Sequence, residues 1–187
     1  MTQRVLHVDF VSLSPGTGPD DRERLIEAAA GLSALSQVVR LGAIEAEAGS
    51  EFDLVFYFVL GDFAELEPFG TDERYSRFLQ GEVAPRLRRF AGADVRLEDE
   101  FVAEGTSGAV MALMAAEETY DWEVREALQA WAEQTKAPIT AVGLAVGERQ
   151  LYRGVALAFG ETLKAASEPD PERFRATMVS GRARTLA

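Results

Sequence analysis

The chain has no cysteine and a single histidine among its 187 residues. Without thiols it can form neither a disulfide framework nor a thiolate metal site, and a metal site would depend almost wholly on carboxylates, so we expect no metal. Basic residues are also scarce: the net charge is −12 and the pI is near 4.6. This balance argues against nucleic acid as a partner, because phosphate backbones are bound by clustered basic side chains.

Long apolar runs are missing as well. The longest is far shorter than the roughly 20 residues that a membrane-spanning helix needs, and no charged-then-apolar leader opens the chain. We therefore expect no membrane partner and take the cytoplasm as the default location. The apolar content of 47% is enough for a sizeable core, which is typical of a globular protein.

Two segments of the chain share an order of residue types. Gly61–Leu79 aligns without gaps on Gly160–Met178, at an offset of 99 residues, and each follows an apolar run. A repeat of this length fits a small two-layer domain, so the alignment predicts a tandem duplication; the alternative is coincidence between two amphipathic segments. The match includes an acid, an arginine and an aromatic residue: Glu73, Arg74 and Tyr75 against Glu172, Arg173 and Phe174.

Apolar periodicity in the first half predicts the order β-α-β-β-α-β, the ferredoxin-like unit with two helices on one face of an antiparallel sheet. The predicted strands span 4–13, 37–47, 51–60 and 93–101, and the predicted helices span 21–35 and, with a break near 68–72, 63–90. The second half repeats this order with a shorter last helix, within 162–178, and Trp131 is expected to anchor its first helix to the core.

We therefore predict an α+β fold of two ferredoxin-like repeats, 1–103 and 104–187, joined near Gly105–Gly108. Each repeat alone would leave one apolar sheet face bare. Stacking the sheets buries both faces, at roughly 25 cal/mol for each Å² of apolar area. The expected arrangement is a dimeric α/β barrel-like pseudodimer within one chain, which would be a monomer or a weak homodimer.

Several linked features of residues 4–101 resemble the stress-responsive dimeric α/β barrel (Dabb) family. They are the strand "VLHVDFVSL", the strand "FDLVFYFVL", and "FLQGEVAPRL" leading into "ADVRLEDEF". The second half resembles the family in layout only. The family pairs two identical subunits sheet to sheet, so the resemblance implies that a fused copy replaces the dimer. Its members include proteins of unknown role and some polyketide cyclases, and neighbouring families with this architecture include cofactor-free monooxygenases, isomerases and haem-handling enzymes. We expect no cofactor here.

The resemblance also implies candidate catalytic residues. In the cyclases a histidine at the position of His7 helps to abstract a proton, and Asp99 stands where the family carries an acid. Strand alternation places His7 on one face with Val5, Asp9 and Val11, so Asp9 could orient the imidazole. The cyclase motif Tyr-x-x-His-Pro-x-His is mostly lost in "FGTDERY", where Phe69, Asp72 and Tyr75 stand in the tyrosine and the two histidine places and Tyr75 is the candidate retained for proton exchange. The candidate catalytic residues are His7, Asp9, Tyr75 and Asp99.

Two functions remain open on the sequence. The first is an α/β barrel protein that binds a small apolar or aromatic ligand in the first repeat, with His7 as a core residue. The alternative is a cofactor-free cyclase or isomerase that acts on a carbonyl compound with His7 as general base. A closed pocket that reaches His7 would favour an enzyme or binder that uses this histidine, and a filled core there would favour a non-catalytic ligand-binding or structural protein. The candidate ligand-binding residues are Val11, Phe56, Tyr57 and Phe69.

Overall fold

A computed structural model describes residues 3–97, 102–146 and 150–186. None of the helices in these ranges is long and apolar enough to cross a membrane. The described elements are β1 Val5–Leu13, α1 Pro19–Ala30, β2 Val38–Ala46, β3 Leu54–Leu60, α2 Leu66–Thr71, α3 Glu73–Arg77, β4 Leu87–Leu97, β5 Ser107–Ala115, α4 Asp121–Thr135, β6 Ile139–Ala145, β7 Gly154–Gly160 and β8 Phe174–Thr185.

The eight strands close into one barrel in the order β1-β3-β2-β8-β5-β7-β6-β4. The first half contributes β4-β1-β3-β2 and the second contributes β8-β5-β7-β6, so the two halves have the same internal strand order. Two antiparallel seams, β2–β8 and β4–β6, join them. Closure leaves neither sheet with an unpaired edge. The predicted α+β pseudodimer is confirmed, whereas its origin as tandem copies with a boundary at 103 stays a prediction.

The interior of the barrel is filled by alternate residues of every strand. On β1 these are Leu6, Val8 and Phe10. Tyr57 of β3 also points inward and lies over Gly42 of β2, where an added Cβ would come within 2.0 Å of the tyrosine hydroxyl oxygen. Glycine is therefore required at position 42 by the close approach of the Tyr57 ring.

The helices cover the outer face of the barrel. In the first half, α1, α2 and α3 bury a second apolar cluster that includes Leu25 and Phe69. In the second half, α4 buries Val124, Leu128 and Trp131 against the strands. Trp131 is only 4% exposed, as the sequence predicted for a core anchor.

The predicted long helix over 63–90 is wrong in its last part. Helices α2 and α3 are short; a π-helical turn over Phe78–Val83 and a 3₁₀ turn over Ala84–Arg86 follow, and β4 begins at Leu87. Pro85 lies where a continued α-helix would lose a backbone donor. Pairing of β4 with β1 as far as Leu87 then favours the strand over the local helical pattern.

The predicted helix within 162–178 is also wrong. Residues 163–170 have no regular structure and 171–173 form a turn, because Pro169 and Pro171 interrupt any helix there. Strand β8 begins at Phe174 and pairs with β5 over nine residues. The gapless alignment therefore places helix α3 against a turn and the start of a strand, so Tyr75 and Phe174 do not occupy equivalent positions.

Candidate functional site

His7 lies on the outer face of the barrel, beneath α2 and α3. The alternation predicted for β1 is observed, since His7 and Asp9 point away from the inward residues Leu6 and Val8. The strand register places Phe58 of β3 and Asp94 of β4 directly opposite His7 on its two sides. A short helix, α3, brings the Tyr75 hydroxyl to the same point.

Both imidazole nitrogens of His7 are engaged. Nδ1 lies 2.6 Å from Oδ1 of Asp94, and Nε2 lies 3.0 Å from Oδ1 of Asp9 and 2.8 Å from the Tyr75 hydroxyl. The Tyr75 hydroxyl donates to Oδ2 of Asp9 at 2.8 Å. With that proton committed, the Tyr75 oxygen and the Asp9 carboxylate both act as acceptors toward Nε2–H. The arrangement therefore matches a doubly protonated imidazolium.

Electrostatics favour the same protonation state. Burial opposes a charge on His7, but the charges and hydrogen bonds of Asp9 and Asp94 outweigh it and raise the pKa of His7 to about 10. Burial tends to raise the pKa of Asp94. The hydrogen bond and charge of His7, together with the hydrogen bond from the Gln150 amide, outweigh burial and bring this pKa below its usual value. Burial, and then the negative charge of Asp9, raise the pKa of Tyr75. At neutral pH the cluster holds a cationic His7 and a neutral Tyr75.

Aromatic rings fill the space around the cluster. The His7 ring centroid lies 5.8 Å from that of Phe58 and 5.3 Å from that of Phe69, and the Phe69 and Tyr75 centroids are 4.4 Å apart. Asp9 is fully buried, whereas the side chains of His7 and Asp94 are 15% and 20% exposed. Within the described part of the chain, the cluster is thus open to solvent along its His7–Asp94 edge.

The second half of the chain contacts that open side. Gln150, in the connection between β6 and β7, donates from Nε2 to Oδ2 of Asp94 at 3.2 Å and accepts from the Asp94 backbone N–H at 3.3 Å. In addition, Val146 N–H donates to the Asp94 carbonyl at 2.9 Å. Asp94 therefore links the His7 cluster of one half to the backbone of the other.

The structure brings together some of the predicted site residues. His7, Asp9, Tyr75 and Phe69 are in direct contact. Val11 and Phe56 belong to the same buried layer. Tyr57 lies on the opposite face, inside the barrel. Asp99 falls outside the described residues, so its predicted role stays a prediction.

Sequence reasoning missed two members of the cluster. Asp94 alternates with the inward residues Ala93 and Val95, so the strand pattern already placed it on the outer face. Its position opposite His7 depends on the β1–β4 register, which the pattern does not give. Gln150 carries no sequence signal, because it lies in a loop of the other half.

A cavity of about 530 Å³ lies on the outer face of the second half, between β5, β8, α4 and residues 162–166. Its walls include Ala109, Ser180 and Trp131. Ala109 is the third residue of a nine-residue strand, as His7 is in β1. It pairs with Ala158 and Ser180, just as His7 pairs with Phe58 and Asp94. The cavity therefore occupies the position in the second half that corresponds to the His7 cluster in the first.

Comparison with known proteins shows the fold. No protein-family model matches the sequence, and no curated protein matches it. Among solved structures, an anthrone oxidase-like protein aligns over 100% of this chain and 94% of its own, with 10% identity and a TM-score of 0.63. A candidate monooxygenase from Lactobacillus acidophilus NCFM aligns over 99% and 95%, with 9% identity and a TM-score of 0.57.

A Dabb family protein with a ferredoxin-like fold from Mesorhizobium loti is also matched, over 50% of this chain and 95% of its own, with 16% identity and a TM-score of 0.44. The two full-length matches show that the chain has the dimeric α/β barrel fold. The resemblance inferred from the sequence is confirmed at the level of the fold.

Proposed function

We propose that this protein binds a small organic ligand and that the His7 cluster stabilises its first half rather than serving as a general base. One observation carries the proposal: both ring nitrogens of His7 are held by carboxylates and a tyrosine hydroxyl within a layer packed with aromatic rings. Structural neighbours described as an anthrone oxidase-like protein and as a candidate monooxygenase support a small organic molecule as the ligand class.

A general base must offer a free lone pair at the working pH. His7 offers none, because its raised pKa keeps the imidazole protonated at neutral pH. Freeing Nε2 would separate a buried ion pair with Asp9, and freeing Nδ1 would break the 2.6 Å contact to Asp94. Both steps take the cationic partner away from a carboxylate, which is unfavourable in a buried layer.

The packing also bears on where a ligand could bind. Phe56 and Phe69 are fully buried beneath the helices, and Tyr57 is 1% exposed inside the barrel. A ligand among these residues would have to displace rings that are already in contact. The first repeat therefore supports the structural role of His7 better than the ligand site expected there.

The proposal is tested by an NMR titration of His7, whose ring signals are unambiguous because it is the only histidine. We expect ring shifts of the protonated form from pH 5 to pH 8.5, both alone and with phenol or 2-naphthol added. A titration midpoint near the ordinary value of 6.5, or one that moves on addition of either compound, would assign His7 to an accessible functional pocket instead.

A second candidate function is a cofactor-free isomerase or cyclase at the same cluster. It is favoured by the partial exposure of the His7–Asp94 edge, where a carbonyl group could approach. The test is exchange of the α-protons of cyclohexanone for deuterium in D₂O, which is slow near neutral pH without a catalyst. Exchange that is catalysed by the native protein and lost in His7→Gln would establish this function, and equal rates with and without protein would exclude it for this class of carbonyl compound.

A further inference from the structure

We propose that the cavity beside Trp131 is the ligand site, and that its ligand is an uncharged organic molecule with a cyclic apolar body and a hydroxyl or carbonyl group. The inference rests on the proposed small-ligand function and places that function in the second half of the chain. At about 530 Å³ the cavity has the volume of an organic-molecule site, for which about 300–1,000 Å³ is usual.

The cavity follows from small side chains at positions that are filled in the first half. The equivalent pairs whose second member lines the cavity are His7 and Ala109, and Asp94 and Ser180. In each pair the second half has the smaller residue. The segment that covers the barrel at this point, here called the cover, also differs between the halves. In the second half residues 163–170 have no regular structure, whereas in the first half α2 and α3 lie at this place. The space is therefore encoded at several positions at once and is not a single packing defect.

Hydrogen bonds hold the cover in place at three points. The Lys164 backbone N–H donates to the Thr135 carbonyl at 2.9 Å, and the Ser167 N–H donates to Oε1 of Gln134 at 3.1 Å. At the other end of the cover, the Ser107 hydroxyl donates to the Glu161 carbonyl at 3.1 Å. These bonds tie the segment to α4 and β5 on opposite sides of the cavity. The walls are thus fixed without a ligand, which lowers the entropic cost of binding.

The chemistry of the walls selects the ligand class. The buried walls are uncharged: Ala109 and Trp131 are apolar, and the Thr135 hydroxyl already donates to the Ala132 carbonyl. The charged residues that line the cavity, Glu47 and Lys164, are exposed and lie at its rim. A charged ligand would lose hydration inside without gaining a buried partner. Among the lining groups, the exposed hydroxyls of Thr162 and Ser180 can serve a hydroxyl or a carbonyl.

The test is an NMR titration of the full chain with 2-naphthol, with 2-naphthalenesulfonate as the charged analogue of similar ring size. The chain has two tryptophans, and Trp122 is 60% exposed, so its indole N–H is an internal reference for Trp131. We expect saturable shifts of the Trp131 indole, no shift of Trp122 or of the His7 ring, and binding of the sulfonate at least tenfold weaker.

Two substitutions fill the cavity from different walls. Ala109→Leu acts from the buried floor and Ser180→Leu from the exposed rim, so the second preserves folding even if the first does not. Each should weaken 2-naphthol binding at least tenfold. Ala84→Leu, an exposed site in the first half, is the matched control and should leave binding unchanged.

Binding of 2-naphthol that shifts His7 and survives both filling substitutions would overturn this site while leaving the small-ligand function in place. Tighter binding of the sulfonate would overturn the uncharged class. Absence of any saturable shift up to millimolar probe would count against both the site and the proposed function.

Discussion

His7 and Asp94 face each other directly across β1 and β4, with Nδ1 of the imidazole 2.6 Å from Oδ1 of the carboxylate. The same carboxylate accepts from the Gln150 amide of the other half. The His7–Asp94 ion pair thus connects β1 with β4, the first and last strands of the first half, and it lies beside the β4–β6 seam between the halves. Because this ion pair is largely buried, its contribution to the free energy of unfolding should depend on pH more than on salt concentration.

Stability should fall as pH rises from 6.5 to 10. The folded-state pKa of His7, about 10, lies above the value of 6.5 expected for the unfolded chain. Stabilisation from the protonated ring is therefore complete below pH 6.5 and is lost as pH approaches 10, in total on the order of 4 kcal/mol. Urea unfolding across this range measures the change.

The matched control for that pH dependence is His7→Gln, which removes the titrating ring but keeps a side chain able to form hydrogen bonds. Its stability should be lower at pH 7 and nearly flat between pH 6.5 and 9. Parallel slopes for the two proteins would show that other groups produce the pH effect and that His7 is not protonated in the native state.

Tyr75→Phe should destabilise the protein by about 1–3 kcal/mol, because a buried carboxylate then loses a donor. The Tyr75 hydroxyl donates to Asp9, which is fully buried, while the ring itself packs on Phe69 and is retained in the variant. Tyr120→Phe, at a side chain that is 67% exposed, is the control and should change stability by less than about 0.5 kcal/mol. If Tyr75→Phe and Tyr120→Phe lower the free energy of unfolding equally in chemical denaturation, the hydrogen bond from Tyr75 to Asp9 does not stabilise the protein.

Much of the first half could be predicted from its sequence, and the limits have physical causes. The period-two pattern of β1 placed His7 and Asp9 on one face, as observed. The same rule separates Phe56 from Tyr57, which are adjacent in β3 and so point to opposite faces. A ligand site that used both side chains was therefore already inconsistent with strand geometry.

The missed features depend on contacts between distant segments. Asp94 meets His7 through a strand register, and Gln150 reaches Asp94 across the two halves, and neither relationship leaves a local pattern. The wrong last part of the first predicted helix and the wrong second helix had a local signal in Pro85, Pro169 and Pro171. The apolar periodicity of both segments favours a helix, but the prolines interrupt it and strand pairing overrides it.

Gly42→Ala should destabilise the protein by roughly 1–3 kcal/mol through overpacking. The new Cβ would lie 2.0 Å from the Tyr57 hydroxyl oxygen and 2.2 Å from the ring carbon that bears it. The ring has little room to move, because Phe159 packs against it with centroids 5.3 Å apart. The control is Gly31→Ala, where the added Cβ meets nothing within 4 Å. If both variants unfold at the wild-type temperature, the barrel interior has more freedom than this packing indicates.

The β4–β6 seam should be the first part of the barrel to open. Among the residues that the structure describes, it pairs three, whereas the β2–β8 seam pairs five and the β1–β4 contact within the first half pairs nine. Fewer hydrogen bonds are broken when a short seam separates, so its opening free energy should lie below that of global unfolding. Native-state hydrogen exchange of the Val146 N–H, which donates to the Asp94 carbonyl, measures this opening.

We expect the Val146 amide to exchange at least about tenfold faster than the amides in the middle of β1, a difference of about 1.4 kcal/mol in opening free energy. The Glu47 N–H, which donates to the Ser180 carbonyl across the longer seam, is the matched reference and should be intermediate. Asp94→Asn should speed exchange at Val146 further, because it removes the ion pair beside the seam while leaving the Asp94 backbone carbonyl in place. If the Val146 amide, the Glu47 amide and the amides in the middle of β1 all exchange at one common rate, the two halves separate only when the whole chain unfolds.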